Sequence, residues 1–195
     1  MAANIGGQRL QIITPPVQSH QVGWHRIVTD FSIEIAVAEG CVLSQPGDVV
    51  VSTSRDCPHV IVCNENNGLI GIAHVGRESM RPRCSRSTIH ELMRAIGVRN
   101  GKDLTAFICG GISGPYFTHK DIGPLIEFAN LYGEEVLNRE TGALDLAKII
   151  RNCLHLYGVP EKQISTDGYC TYKNDWLGSK RAGKDGSNWT IVIKH

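Results

Sequence analysis

The sequence predicts a sandwich of the α/β or α+β class built on a mixed sheet, and three observations lead to this class. Short apolar runs that suit strands recur along the chain, an Asn-Asn-Gly turn joins two of them, and separate helical segments lie between others. The chain has 195 residues, a length that fits one domain. With 42% hydrophobic and 20% charged residues, its composition is that of a globular protein.

Six segments are predicted as strands because each is short, rich in Val and Ile, and bounded by Gly, Pro or Asn. They are residues 10–13, 49–53, 60–63, 69–74, 104–108 and 189–193. Asn66-Asn67-Gly68 separates the third from the fourth, and Asn and Gly tolerate positive φ. We therefore expect these two strands to form a hairpin.

Two helices are predicted from their terminal residues. The first begins near Thr88, whose spacing to Glu91 is a capping-box pattern, and ends at Gly97. The second begins after Gly123, with a proline in its first turn, and ends at Gly133.

A third helix is predicted from its periodicity. Starting at Leu146, apolar residues recur at i, i+3, i+4, i+7, i+8 and i+11, which places them on one face of a helix. Gly158 follows as a C-cap.

The charge and cysteine content exclude several classes of protein. A formal charge of +1 and 6% aromatic residues argue against binding to nucleic acid or to an anionic membrane. The N-terminus lacks a secretory pattern, and the apolar runs are too short to span a bilayer. Seven scattered cysteines without a CxxC pair suit reduced thiols in a cytosolic protein.

Three residues that could carry chemistry lie near the predicted strands. His74 closes one strand, Cys57 follows another, and His20 lies upstream. Imidazoles and a thiolate are good zinc ligands, and three protein ligands leave a fourth position for water. Taken singly, His74 suits a hydrogen-bonded surface histidine and Cys57 an inert buried thiol. Their wide spacing does not choose between these alternatives.

The segment 42–80 resembles the laccase-domain family, also called YfiH-like or polyphenol-oxidase-like. Members of that family carry Pro-Gly, Ala-Asp-Cys and His-Ala-Gly in this order, with strands between them. Here Pro46-Gly47, Asp56-Cys57 and His74-Val75-Gly76 take those places. Further family-like motifs follow the same order along the chain. They are Gln18-Ser19-His20, Gly110-Gly111-Ile112 with Tyr116, Cys170-Thr171 and Ser179-Lys180-Arg181.

This resemblance implies a fold, a cofactor and an activity. The expected fold is a single α/β sandwich with mixed sheets over residues 1–195, shortened at the N-terminus because only 17 residues precede Gln18. The family binds zinc through His, Cys and His, which here are His20, Cys57 and His74. Its members phosphorolyse adenosine, inosine, guanosine and methylthioadenosine, and they deaminate adenosine.

The same resemblance suggests roles for individual residues. Cys57, His74 and Asp56 become the catalytic candidates, with Asp56 orienting a ligand or moving a proton. Arg181 and Arg77 become candidates for binding phosphate, because a guanidinium binds oxygens in pairs. The expected partners are therefore a small purine nucleoside and phosphate.

Two departures from the family bear on substrate choice. Glu78 stands where an arginine is common, and Lys180 stands where the family has a tyrosine.

Three other readings remain open. Copper is disfavoured, since the eight histidines include no His-x-His pair for a copper cluster. A cysteine hydrolase or amidase, for example one that edits cell-wall precursors, would use Cys57 as nucleophile and His74 as base. A non-catalytic member of the family would keep the fold alone.

His59 is predicted to be a core or edge residue whose hydrogen-bonding groups have partners, and His119 is predicted to be a loop residue.

Overall fold

The computed structural model describes residues 2–5, 8–13, 24–29, 32–37, 39–81 and 87–195. These residues form two main sheets, a small strand pair and three α-helices. The strands in chain order are β1 (Ala2–Ile5), β2 (Gln8–Ile13), β3 (Trp24–Thr29), β4 (Ser32–Val37), β5 (Gly40–Leu43), β6 (Val49–Ser54), β7 (His59–Asn64), β8 (Leu69–His74), β9 (Leu104–Cys109), β10 (Leu137–Asn138), β11 (Ala143–Leu144), β12 (Ile164–Thr166) and β13 (Asn188–Ile193). The helices are α1 (Thr88–Ala95), α2 (Gly123–Tyr132) and α3 (Leu146–Leu156).

The larger sheet has seven strands in the order β1-β2-β5-β8-β7-β9-β12. Its pairs are antiparallel except for β12, which runs parallel to β9. The smaller main sheet has four antiparallel strands in the order β13-β6-β3-β4. The predicted α/β class with mixed sheets is therefore confirmed.

The seven-stranded sheet lies between two layers. On one face, Val60, Val62 and Ala73 join the side chains of the helices in the main apolar core. On the opposite face, Cys41, Leu43 and Ile72 meet two valines of the four-stranded sheet in a second, smaller cluster. Apolar burial on both faces explains why β7 and β8 read as nearly continuous apolar runs.

A buried histidine also joins the two sheets. His59, on β7, is 1% exposed and lies between hydroxyls of the four-stranded sheet. Its Nε2 is 2.7 Å from Ser52 Oγ, and its Nδ1 is 3.0 Å from Thr190 Oγ1. The expectation of a satisfied core histidine is confirmed.

All six predicted strands are present, with ends that differ by no more than two residues. The predicted hairpin is also present: the Gly68 N–H donates to the Asn64 carbonyl, and Gly68 has a φ of 68°. The sequence interpretation missed seven strands, namely β1, β3, β4, β5, β10, β11 and β12. Two of these have only two residues and one has three, too few for a period to show.

The predicted helices are confirmed, with one correction at a cap. The N-cap of α1 is Ser87, whose side chain accepts a hydrogen bond from the His90 N–H. Thr88 is instead the first helical residue and is fully buried. Gly133 and Gly158 follow α2 and α3 with positive φ, as their predicted roles at the helix ends require. Within the described ranges, none of the helices has the length and hydrophobicity needed to cross a bilayer.

Candidate functional site

The site begins at the end of β8, where His74 is held by Glu39. The His74 Nδ1 lies 2.8 Å from Glu39 Oε2, and the His74 backbone N–H donates to the Glu39 carbonyl over 2.7 Å. Both residues are buried, at 6% and 1% exposure. Because both contacts involve the residue just before β5, the imidazole has a fixed position and a fixed ring orientation.

Cys57 lies against the same imidazole. Its thiol forms a side-chain hydrogen bond with His74, and since Nδ1 faces Glu39, the free ring nitrogen for this contact is Nε2. A Cβ on Gly76 would lie 3.5 Å from Cys57 Sγ and 3.6 Å from His74 Cε1. The segments are also joined by the Val75 N–H, which donates to the Pro58 carbonyl over 2.8 Å. The structure therefore brings together the predicted pair Cys57 and His74.

The surroundings of His74 favour the charged form of its imidazole. Burial disfavours the imidazolium, but the hydrogen bonds of the His74 side chain with Cys57 and Glu39, together with the electrostatic effect of these two groups, outweigh burial. The pKa of His74 rises to about 10.

The donor set around His74 fits a zinc ion. Zinc-binding histidines usually donate their second ring N–H to a carboxylate, as the His74 Nδ1 does to Glu39. A thiolate and an imidazole nitrogen are both zinc ligands, and Cys57 and His74 could hold the ion together. The third expected ligand, His20, lies outside the described residues. No group of three or more His, Cys, Asp or Glu suited to a metal is found within the part of the chain that the structure does describe.

Asp56, the neighbour of Cys57, is bound to a distant segment of the chain. Its Oδ1 accepts hydrogen bonds from the hydroxyls of Thr171 and Ser179, over 2.9 and 2.6 Å. Its Oδ2 accepts the Arg181 backbone N–H over 2.8 Å. Two of the family-like motifs of the sequence, Cys-Thr and Ser-Lys-Arg, thus meet at one carboxylate. The contacts give Asp56 a positioning role, and its proposed part in proton transfer stays a prediction.

The two predicted phosphate ligands lie near one histidine. The Arg77 Nη1 is 3.1 Å from His119 Nδ1, and its Nε and Nη2 donate to Glu78 Oε1. The Arg181 Nη1 donates to the Thr118 carbonyl over 2.6 Å. Burial and the charges of Arg77 and Arg181 lower the pKa of His119 to about 4. The two arginines, far apart in the sequence, therefore act on the same imidazole.

Sequence reasoning missed two residues of this site. Glu39 immediately precedes β5, a strand that was not predicted, and nothing in its neighbours indicates a contact with His74. His119 was interpreted only as a loop residue, although in the structure it contacts Arg77 and its pKa is lowered by the charges of Arg77 and Arg181. The proximity of His119 to an arginine could be recognised only from the fold, because Arg77 lies 42 positions away in the sequence.

Comparisons with known proteins give one family model, one curated relative and several similar folds. The model of the family described as multi-copper polyphenol oxidoreductase laccase matches residues 2–194. A purine nucleoside phosphorylase of Deinococcus radiodurans is 29% identical over 157 residues, which are 79% of this chain and 60% of that protein. The hypothetical protein YfiH of Bacillus licheniformis has a similar fold, with a TM-score of 0.68, 22% identity and coverage of 82% of this chain and 62% of that one. YlmD of Geobacillus stearothermophilus matches with a TM-score of 0.62 and 22% identity, over 80% of this chain and 60% of that one.

Proposed function

Because the chain belongs to the multi-copper polyphenol oxidoreductase laccase family, we propose that it is a zinc-dependent purine nucleoside phosphorylase. Its substrates are adenosine, inosine, guanosine or methylthioadenosine together with phosphate, and its products are a free base and a ribose 1-phosphate. The relative that carries the name purine nucleoside phosphorylase supports this reaction class. The chain spans about 60% of the length of that relative.

The observation that carries the proposal is the arrangement around His74. Glu39 orients the His74 imidazole, and the Cys57 thiol is hydrogen-bonded to the same ring. The Cys57 sulfur and one ring nitrogen of His74 are therefore neighbours that could bind one ion. His20 is the proposed third ligand. A bound zinc ion would supply a Lewis acid and would lower the pKa of a bound water to about 7.

In phosphorolysis a phosphate oxygen attacks C1′ of the ribose, and the C1′–N9 bond breaks. The bonding electrons go to the purine, which takes a proton. Arg77 and Arg181 bind the phosphate and offset its negative charge. Asp56 fixes the backbone at Arg181, which sets the position from which that guanidinium acts. The deamination of adenosine, with water as the second reactant, is a second proposed activity of the same site.

The test mixes purified protein with adenosine or inosine, with and without phosphate, and separates the products by chromatography. Free base formed only with phosphate is the expected result, and inosine formed from adenosine would add the deaminase. A matched pair of variants is Arg181→Gln in the site and Arg139→Gln in an exposed ion pair. The first should weaken the use of phosphate, and the second should not. Retained zinc without turnover of any purine nucleoside would overturn the proposal.

One observation favours a second candidate, a cysteine hydrolase. Cys57, His74 and Glu39 are joined by hydrogen bonds in the order nucleophile, base and orienting carboxylate. Removal of zinc should abolish the nucleoside activity but spare or increase an amidase activity. Alkylation of Cys57 would stop both activities, so a zinc chelator is the reagent that discriminates between them.

The six free cysteines among the described residues support a reducing compartment such as the cytosol.

A further inference from the structure

Strand β13 forms one edge of the four-stranded sheet. The sheet has the order β13-β6-β3-β4, and among the described strands β13 pairs only with β6. The pairing runs without interruption from Asn188 opposite Ser54 to Ile193 opposite Val49, so the strand contains no bulge. The outer row of backbone N–H and C=O groups, about 20 Å long, therefore has no backbone partner in the described ranges.

Three large apolar side chains lie along this edge on the outer face of the sheet. Trp189, Ile191 and Ile193 are 63%, 59% and 48% exposed. Thr190 lies between the first two and points the other way, because its hydroxyl contacts the His59 imidazole on the seven-stranded sheet. The exposed apolar side chains of β13 therefore follow the two-residue period of a strand and share one face.

The edge lacks the features that protect most edge strands from pairing. Native edges are blunted by a lysine, a proline, a bulge or a very short strand. β13 has six residues and contains neither a charged residue nor a proline. Its apolar face continues onto β6, where the half-buried Val51 and Val49 lie opposite Ile191 and Ile193. Such an edge is a template for one more strand.

A second copy of β13 is complementary to this edge. A twofold axis perpendicular to the sheet pairs the strand with its own copy in antiparallel orientation. With the axis at Ile191, this residue lies opposite its own copy, and Trp189 lies opposite Ile193 of the second copy. Lys194 then lies opposite Asn188, so no like charges meet. In this register each exposed apolar side chain of the strand faces another one on the same side of the sheet.

We propose that β13 is the interface of a homodimer, in which two copies pair antiparallel about a twofold axis at Ile191 and join their sheets into one of eight strands. An axis at Thr190 would place Ile193 opposite Ser187, and an axis at Val192 would place Trp189 opposite a histidine. Because both copies use the same edge, the contact closes at two chains. One strand pair makes a small interface, so the dimer dissociates in the micromolar range. The inference does not depend on the proposed function.

The experiment is sedimentation velocity of the full chain between about 1 µM and about 1 mM, where a dimer is expected at the upper end. Ile191→Lys places two lysines opposite each other on the axis, and it should weaken the dimer about tenfold or more. The control is Leu156→Lys, which adds the same charge at an exposed leucine of α3 and should leave the dimer unchanged. Thermal midpoints show whether each variant folds.

A pair of cysteine variants tests the register. Ile191→Cys brings two thiols opposite each other across the axis, where the Cβ atoms of facing residues lie about 4.5–5.5 Å apart. Mild oxidation should therefore link this variant into disulfide dimers, which a non-reducing gel resolves. Trp189→Cys faces Ile193 of the second copy and should not link to itself. The unmodified chain under the same oxidation gives the background from the native cysteines.

The possible results separate clearly. A chain that stays monomeric up to about 1 mM refutes the inference, and so does a folded Ile191→Lys protein that dimerises as strongly as the unmodified chain. Stable complexes larger than a dimer contradict the closed twofold contact. A disulfide dimer of Trp189→Cys without one of Ile191→Cys overturns the register and with it the proposal. If Ile191→Lys fails to fold, the cysteine pair decides alone.

Discussion

Glu39 binds His74 twice, once through its backbone carbonyl and once through its carboxylate. The first contact measures 2.7 Å from the His74 backbone nitrogen, and the second 2.8 Å from Nδ1. The pairing spans the junction of β5 and β8, neighbouring strands of the same sheet. These two contacts hold the imidazole of His74 in one orientation. A change at Glu39 should therefore alter the site without removing any of its proposed ligands.

The first prediction concerns metal affinity. Glu39→Gln keeps the size of the side chain but removes the charged acceptor of the His74 Nδ1 proton, so zinc should bind about 10- to 100-fold more weakly. Competition with a chromophoric chelator measures this affinity directly, without any assay of activity. The control is Glu134→Gln, which removes the carboxylate of an exposed ion pair with Arg139. Equal zinc affinity in both variants would contradict the role given to Glu39.

The second prediction concerns Asp56. Asp56→Ala leaves the hydroxyls of Thr171 and Ser179 without their acceptor, and both residues are fully buried. We expect the free energy of unfolding to fall by about 3 kcal/mol, since hydrogen bonds to charged groups are each worth about 1.5–3 kcal/mol. Urea denaturation measures the change, and hydrogen exchange should rise in residues 170–182. Asp175→Ala removes a fully exposed carboxylate and serves as the control. An unchanged urea midpoint in Asp56→Ala would refute the positioning role.

The third prediction concerns Gly76. An added methyl group would lie at ordinary contact distance from Cys57 Sγ and His74 Cε1, so Gly76→Ala should fold with nearly unchanged stability. The methyl group would nevertheless occupy the space that both side chains border. We expect weaker zinc binding and slower alkylation of Cys57 by iodoacetamide. Gly183→Ala, at an exposed position with nothing near its Cβ, controls for the loss of a glycine, though its positive φ will cost some stability. A Gly76→Ala protein with unaltered zinc affinity and thiol reactivity would show that the space beside the pair is not used.

The fourth prediction is a pH dependence of stability caused by His119. Its pKa is lowered to about 4 in the folded chain, so between pH 6.5 and 4 the unfolded chain binds the proton that the folded chain rejects. The contribution to stability is complete above pH 6.5 and is lost as the pH falls towards 4. His119→Phe, which cannot titrate, should show a smaller loss of the urea midpoint between pH 7.5 and pH 5. Parallel pH curves for both proteins would contradict the lowered pKa.

The fifth prediction concerns the histidine between the sheets. Ser52→Ala removes the hydroxyl next to the His59 Nε2, in a position that is 0% exposed. The loss of a buried partner should lower the free energy of unfolding by about 1–3 kcal/mol. Thr53→Ala, on the opposite face of the same strand, should cost less. Equal losses in the two variants would indicate that the contact with His59 adds nothing.

Local patterns were enough for much of the fold. The six apolar runs and the helix ends at Gly133 and Gly158 depend on neighbours in the sequence, and the structure confirms them. The capping box at Thr88 was shifted by one residue because Ser87 offers the same kind of side-chain acceptor. The shortest strands were not predicted because two or three residues are too few to show an alternation of apolar and polar side chains.

The candidate site was predictable only where a motif held its residues together. Asp56 and Cys57 are adjacent, and the family-like order of motifs brought in His74 and Arg181. Glu39 contacts His74 across 35 positions of the sequence, and His119 contacts Arg77 across 42 positions. Such long-range contacts depend on the register of the strands and on the paths of the loops. Neither can be read from composition or periodicity.

The hydrogen bonds of His59 also have a consequence for protein synthesis. β6 and β7 leave the ribosome long before β13, so β6 remains an edge strand of its sheet, with its row of valines, until β13 is made. An open apolar edge is a site for mispairing between nascent chains. The pairing of β13 with β6 closes that edge, and it also brings the Thr190 hydroxyl to the buried imidazole of His59. Translation that stops before residue 188 should therefore yield aggregates rather than a smaller folded protein.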